Sequence, residues 1–178
     1  CYISLNGPEV PIMDGSSKFF IEAIEEAKII EQNALREEFF PSEKISYKCE
    51  ETGSVLSIIP DETYKIETKI DFNTKVLGTQ TASIKDINEF KDEISAARTF
   101  SFLHELEALL ENGLIKGGDL NNAIVYVDKP LANSNMDRLK KAFNKESISV
   151  TPNGILDNLD LHYPNEAARH KLLDVIGD

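Results

Sequence analysis

Cysteine is scarce in this chain. Cys1 and Cys49 are its only two; they cannot build a disulfide framework, and they form no CxxC clip for a metal. Both read as reduced thiols of a cytosolic protein. Cationic charge is also short, with 19 Lys and Arg against 31 Asp and Glu and a net charge of −12. Binding to nucleic acid or to an anionic membrane surface needs clustered Lys and Arg, so both are disfavoured. No apolar run approaches the ~20 residues of a membrane-spanning helix, so no integral membrane segment is expected. The N-terminus carries no signal-peptide pattern. Gly117-Gly118 reads as a tight turn, and nothing resembles a phosphate-binding P-loop. No internal repeat or low-complexity tract is visible.

What is present is an ordinary globular composition, 41% hydrophobic over 178 residues, enough for one domain or for one domain and part of another. Cys1 to Leu5 reads as a strand, followed by a turn at Asn6-Gly7-Pro8. A helical pattern runs from Ser17 to about Asn33, with Ser16 or Ser17 as its N-cap. Lys44 to Cys49, Ser54 to Ile59, Tyr64 to Phe72 and Thr79 to Ile84 read as strands between turn signals. Asp86 caps a helix to Ser95, Ala97 to Phe102 is extended, Leu103 to Glu111 is helical, and Ala123 to Val127 is a strand. Asp128 to Tyr163 is polar and reads as an insertion long enough to be mobile, with a short helix near Met136 to Phe143. A last helix begins at Asn165. The first residue is Cys rather than Met, and the chain opens and closes directly in structure, so it reads as an internal segment of a longer polypeptide.

The most informative stretch is in that last helix. His170, Asp174 and Asp178 are spaced i, i+4, i+8, which stacks them along one helical stripe. Leu172, Leu173, Val175 and Ile176 between them give the helix a buried side. An imidazole and a carboxylate one turn apart can both reach one metal ion and suit zinc. Asp178, a turn further on, can orient a second imidazole. The same spacing also occurs on ordinary solvated helix faces.

Other motifs accompany this helix in order: Pro8-Glu9-Val10-Pro11-Ile12-Met13-Asp14-Gly15-Ser16, then Ala97-Arg98-Thr99-Phe100-Ser101-Phe102, then Glu105-Leu106-Glu107-Ala108-Leu109, then Gly113 through Val125. With His170-Lys171-x-x-Asp174-x-x-Gly177-Asp178 they make the chain resemble the UDP-3-O-acyl-N-acetylglucosamine deacetylase family from its first residue to its last. The resemblance implies an α/β (α+β) fold, a two-layer sandwich of sheet and helix, made of two related domains with the active site in the cleft between them. Residues 1–38 would end the first domain. Residues 39–178 would form most of the second, with the insertion at 128–163. The enlarged members of this family carry a fused hydroxyacyl-carrier-protein dehydratase, and the long stretch before His170 resembles theirs.

The implied reaction is hydrolysis of the N-acetyl amide of a UDP-linked acylated amino sugar in the cytoplasm, the committed step of lipid A synthesis, with one Zn2+ as cofactor; His and Asp ligands suit Fe2+ equally. His170 and Asp174 match two of the family's three metal ligands. The third ligand, in a His-Glu-His motif with the general-base glutamate, would precede this chain, and a later catalytic histidine would follow it. Asp178 matches the carboxylate that orients that histidine. Alone, the chain is then expected to be inactive. Lys171, Thr99 and Phe100 match substrate-binding positions, Lys171 toward the diphosphate. Phe102, Leu103, Leu106, Leu114, Ile115 and Ala123 would line the passage for the acyl chain. Ser101 stands where the family usually has Gly. Met13 to Ser16 is expected to be structural, and His104 and His162 read as surface histidines. The competing reading, prompted by the missing His-Glu-His motif, is a non-catalytic acidic α/β binding or scaffold module.

Overall fold

The computed structural model describes residues 1–35, 37–106, 120–129, 137, 139–141, 143, 145–156 and 159–177. They form a mixed helix and strand architecture, an α/β domain with three small two-stranded sheets. Helix α1 is Lys18–Glu26. Strands β1 (Ile45–Lys48) and β2 (Val55–Ile58) pair antiparallel, as do β3 (Ile66–Asp71) and β4 (Thr79–Ile84). A 3-10 turn, Ile87–Glu89, runs into a single π turn, Phe90–Ile94. Strands β5 (Phe100–Phe102) and β6 (Ile124–Tyr126) pair in parallel. Helix α2 is Glu166–Gly177.

The core is built around β5 and β6. Side chains of a strand alternate between faces. Ile124 and Tyr126 enter one buried cluster with Ile70, Ile84, Ile94, Phe102 and Leu172, while Val125 enters a second with Leu103, Leu120, Leu139, Ile148 and Leu156. Helix α2 lies across β3 and β4. Its fully buried Ala167 and Ala168 let the backbone approach closely, and Leu172 fills the core below them. The site is so dry that burial pushes the Tyr126 phenol up to about 12.

Local chemistry explains the element ends. Asp86 accepts from the Asn88 N–H at 2.8 Å, and Glu89 reaches back to the Lys85 N–H at 3.0 Å, two donors satisfied at one helix start. Asp71 closes β3 by accepting from the Asn73 N–H and the Thr79 hydroxyl, both at 2.8 Å. These bonds, the backbone one first, hold its carboxyl below the usual range.

Several expectations change. Cys1 to Leu5 forms no strand and is exposed; an isolated extended segment has no ladder to join. Helix α1 stops at Glu26, because Lys28 takes a left-handed φ of 67° and Ile29 and Ile30 beyond it are exposed. The segment after Asp86 is a 3-10 and a π turn rather than an α-helix, the Ser95 N–H bonding back to the Phe90 carbonyl at 2.8 Å. On α2, Leu172 is buried but Val175 is exposed. Residues 103–106 begin the expected helix; the rest of it lies outside the described residues. Within the stretch 128–163, Leu139, Ile148, Ile155 and Leu156 are buried in the core. No helix among the described residues is long and apolar enough to cross a membrane.

Candidate functional site

The expected stripe on α2 is in place. His170 Nε2 lies 3.6 Å from Asp174 Oδ1, and the other oxygen of Asp174 accepts from Lys171 Nζ at 2.8 Å. His170 Nδ1 is 3.0 Å from the Ala97 carbonyl oxygen. A carbonyl only accepts, so Nδ1 must carry a proton. In the neutral ring, Nε2 is then left with a free lone pair. The His170 side chain is mostly covered and that of Asp174 is about one-third exposed.

These residues fit a metal ion. Zinc bonds of about 2.0–2.1 Å in a tetrahedron place ligand atoms roughly 3.3 Å apart. The 3.6 Å between Nε2 and Oδ1 is close to that spacing, and the bond from Nδ1 is the usual support of a ligating imidazole. Two donors are not a complete site. Among the described residues no group of three or more His, Cys, Asp and Glu is arranged to hold a metal.

The segment facing α2 carries the Ala97-Arg98-Thr99-Phe100 motif. Ala97 and Arg98 share one peptide group. Its carbonyl meets His170, and its N–H donates to Glu166 Oε1 at 3.0 Å. Glu166 and His170 are one helical turn apart, so a single peptide plane spans that turn. The Arg98 side chain folds onto the same carboxylate, Nε to Oε1 at 2.8 Å and Nη2 to Oε2 at 3.2 Å. The His162 N–H donates to Oε2 at 2.7 Å. Each carboxylate oxygen therefore accepts two hydrogen bonds. Glu166 is fully buried and Arg98 nearly so; only such complete pairing makes a buried charge tolerable.

Thr99 follows directly and is pinned at both ends. Its N–H donates to the Gly15 carbonyl at 2.7 Å, and its carbonyl accepts from the Ile124 N–H at 2.8 Å. This gives the Met13-Asp14-Gly15-Ser16 turn a mechanism. Asp14 accepts from the Ser16 N–H at 3.0 Å and hydroxyl at 2.7 Å, and the Ser16 hydroxyl in turn accepts from the N–H of Lys18, the first residue of α1, at 3.2 Å, while Ser17 is the N-cap and makes no side-chain cap bond. Gly15 has φ 82°, and a Cβ built there would overlap the Asn122 carbonyl and approach Thr99 Cγ2 to 3.2 Å. The turn is therefore the seat of Thr99, the residue that leads into β5, and only glycine fits it.

The other expected site residues are scattered. Phe100 is half-buried and meets Phe72, Phe102 and Tyr126 edge-on. Phe102 and Leu103 are packed into the two core clusters, Leu106 lies against the second, and Ala123 is half-buried beside β6. Leu114, Ile115 and Asp178 lie outside the described residues. A polar groove lined by Glu67, Thr81, Ser83, Asn165 and Arg169 holds none of the expected site residues. His104 is exposed, as expected, but its Nδ1 sits 3.0 Å from Asp128. His162 is likewise exposed, as expected, and its Nδ1 is 2.9 Å from the Ala96 carbonyl while its N–H serves Glu166. Sequence reasoning passed over Arg98 and Glu166. One signal for Glu166 was available: Glu166, His170 and Asp174 extend the i, i+4, i+8 stripe toward the helix start.

The family model described as UDP-3-O-acyl N-acetylglycosamine deacetylase matches residues 1–148. A "Bifunctional enzyme LpxC/FabZ" of Bacteroides thetaiotaomicron is 40% identical over 178 residues, 100% of this chain and 39% of that protein. The protein of the same description from Porphyromonas gingivalis is 40% identical over 100% of this chain and 38% of its own length. A UDP-3-O-acyl-N-acetylglucosamine deacetylase of Helicobacter hepaticus is 37% identical over 99% of this chain and 50% of its own length. The chain thus spans two-fifths to one-half of these relatives, and two of the alignments run through α2 to its end.

Proposed function

The chain belongs to the family of UDP-3-O-acyl N-acetylglycosamine deacetylases, and from that premise we propose that it supplies one wall of a metal-dependent amidase site in a larger protein. The reaction is hydrolysis of the N-acetyl amide of a UDP-linked 3-O-acylated amino sugar, in the cytoplasm, at the committed step of lipid A synthesis. Residues 1–38 complete a first domain, and residues 39–178 form most of a second with an inserted stretch at 128–163. The two bifunctional relatives at 40% identity support an intact protein with a fused dehydratase.

The observation that carries this reading is the pair His170 Nε2 and Asp174 Oδ1, 3.6 Å apart with the opposite imidazole nitrogen already engaged. In this proposal both hold Zn2+, or Fe2+ with the same donors. When bound, the ion supplies Lewis-acid polarisation of the amide and a water acidified toward neutrality. Lys171, paired with Asp174 at 2.8 Å, stands beside the site as a cation for the substrate diphosphate. Thr99 offers a hydroxyl to the polar head, and Phe100 offers an aromatic face to the sugar or acyl group. Asp178 orients a histidine from outside this chain. The general base and the third metal ligand also come from outside it, so the 178 residues alone turn over no substrate.

The test is acetate release from UDP-3-O-acyl-N-acetylglucosamine by the intact protein. His170→Ala is expected to abolish release, and Lys171→Ala to raise KM for the UDP-linked substrate more than it lowers kcat. Full activity in His170→Ala contradicts the proposal. An intact protein that neither releases acetate nor binds metal instead supports a non-catalytic α/β module.

A further inference from the structure

We propose that Glu166 is a positioning residue for His170, acting through the single peptide group that joins Ala97 to Arg98. This rests on reading His170 as a metal ligand. The chain of contacts is continuous. The Glu166 carboxylate accepts the Arg98 N–H at 3.0 Å, and the carbonyl of that same peptide accepts the His170 Nδ1–H at 3.0 Å. A negative charge on the N–H side of a peptide draws electron density onto its carbonyl oxygen, since hydrogen bonds in a chain polarise one another. A stronger acceptor at Nδ1 makes Nε2 a better donor. Metal-ligating histidines commonly gain this from a carboxylate in direct contact; here a buried carboxylate delivers it across one peptide.

The geometry serves no obvious alternative end. Glu166 lies in the first turn of α2, where an exposed carboxylate would already favour the helix dipole. Instead it is fully buried, at the cost of desolvation. Its four donors, the main-chain N–H, Nε and Nη2 of Arg98 and the main-chain N–H of His162, all tie it to the segments that flank His170. Arg98 Nη2 also donates to the Asp160 carbonyl at 2.6 Å, closing the connection that leads into α2. The Ala97 carbonyl is therefore fixed in both position and direction before any ligand arrives.

The experiment uses the intact protein and measures its affinity for Zn2+ by chelator competition and the visible absorption of its Co2+ form. Glu166→Gln keeps the shape of the side chain but removes the charge, and is expected to weaken metal binding by about 10–100-fold and shift the Co2+ bands. Arg98→Lys leaves the carboxylate and the main-chain N–H in place and is expected to retain more affinity than Glu166→Gln. Arg169→Met, on α2, breaks the pairing with Glu93 of the π turn and is expected to leave metal affinity unchanged. A second measurement needs no variant: nitrogen NMR of the metal-free protein above neutral pH should find His170 as the Nδ1–H tautomer. The Nε2–H tautomer, or a Glu166→Gln protein with unaltered affinity beside a His170→Ala protein that has lost it, overturns the relay and leaves the metal reading standing. Unaltered affinity in His170→Ala overturns both.

Discussion

Two antiparallel hairpins of this chain have similar patterns and opposite fates. In β1–β2 every residue is exposed, including Ile45, Tyr47, Val55, Leu56 and Ile58. In β3–β4 the alternation resolves into an outer face and a buried one, with Ile70, Ala82 and Ile84 in the core. The difference is α2, which lies on β3 and β4 and leaves β1 and β2 exposed along their whole length. Alternating hydrophobicity specifies a strand, but burial requires an element to lie against it. The candidate metal ligands are on the helix that provides that cover, so one packing contact both completes the core and places the site.

That contrast can be broken most severely at the ion pair beneath the site. Glu166→Ala leaves the Arg98 guanidinium buried without its partner, and the expected loss is about 3–5 kcal/mol, read by chemical denaturation. A loss under about 1 kcal/mol, the size of a surface pair, would mean that the pair is not the dry contact described. Leu172→Ala, under α2, should cost about 2–5 kcal/mol through lost burial and a residual cavity. Gly15→Ala forces a Cβ into the Asn122 carbonyl at a positive φ and should cost about 1–3 kcal/mol or more. Because the turn seats Thr99, substrate affinity of the intact protein should fall with it; a stability loss with unchanged KM would separate the turn from the site. Asp86→Ala removes the cap on the Asn88 N–H and should cost about 1 kcal/mol. The smallest effect is expected in the uncovered hairpin, where Leu56→Ala should stay within about 0.5 kcal/mol. A cost near that of Leu172→Ala in the intact protein would show that another segment covers this face.

Much of the fold was legible because local rules and tertiary packing agree. Thr79–Ile84 is found where its alternation put it, and Asp86 caps as read. The His170 and Asp174 pair was legible from spacing alone, since helical periodicity brings i and i+4 together regardless of context. The failures share a physical cause. Ile29 and Ile30 continue a helical pattern, yet both stay exposed among the described residues and the helix ends at Glu26, because short helices depend on tertiary cover. Cys1 to Leu5 alternates but has no pairing partner among the described residues. Glu166 was passed over; its burial is decided by Arg98, 68 residues away in sequence. Gly15 looks like any turn glycine until Asn122 and Thr99 are brought against it. Contacts between distant segments set burial and close approach, and a pattern within one segment does not carry them.

The central claim is that His170 and Asp174 hold a metal ion together. Its most direct test is the bound metal content of the intact protein beside its His170→Ala and Asp174→Ala variants, each checked for an unchanged fold. The account predicts one Zn2+ or Fe2+ per protein molecule and a large loss in both variants. Equal metal in all three, or none in any, would contradict it and return this stretch of α2 to an amphipathic helix that closes the core.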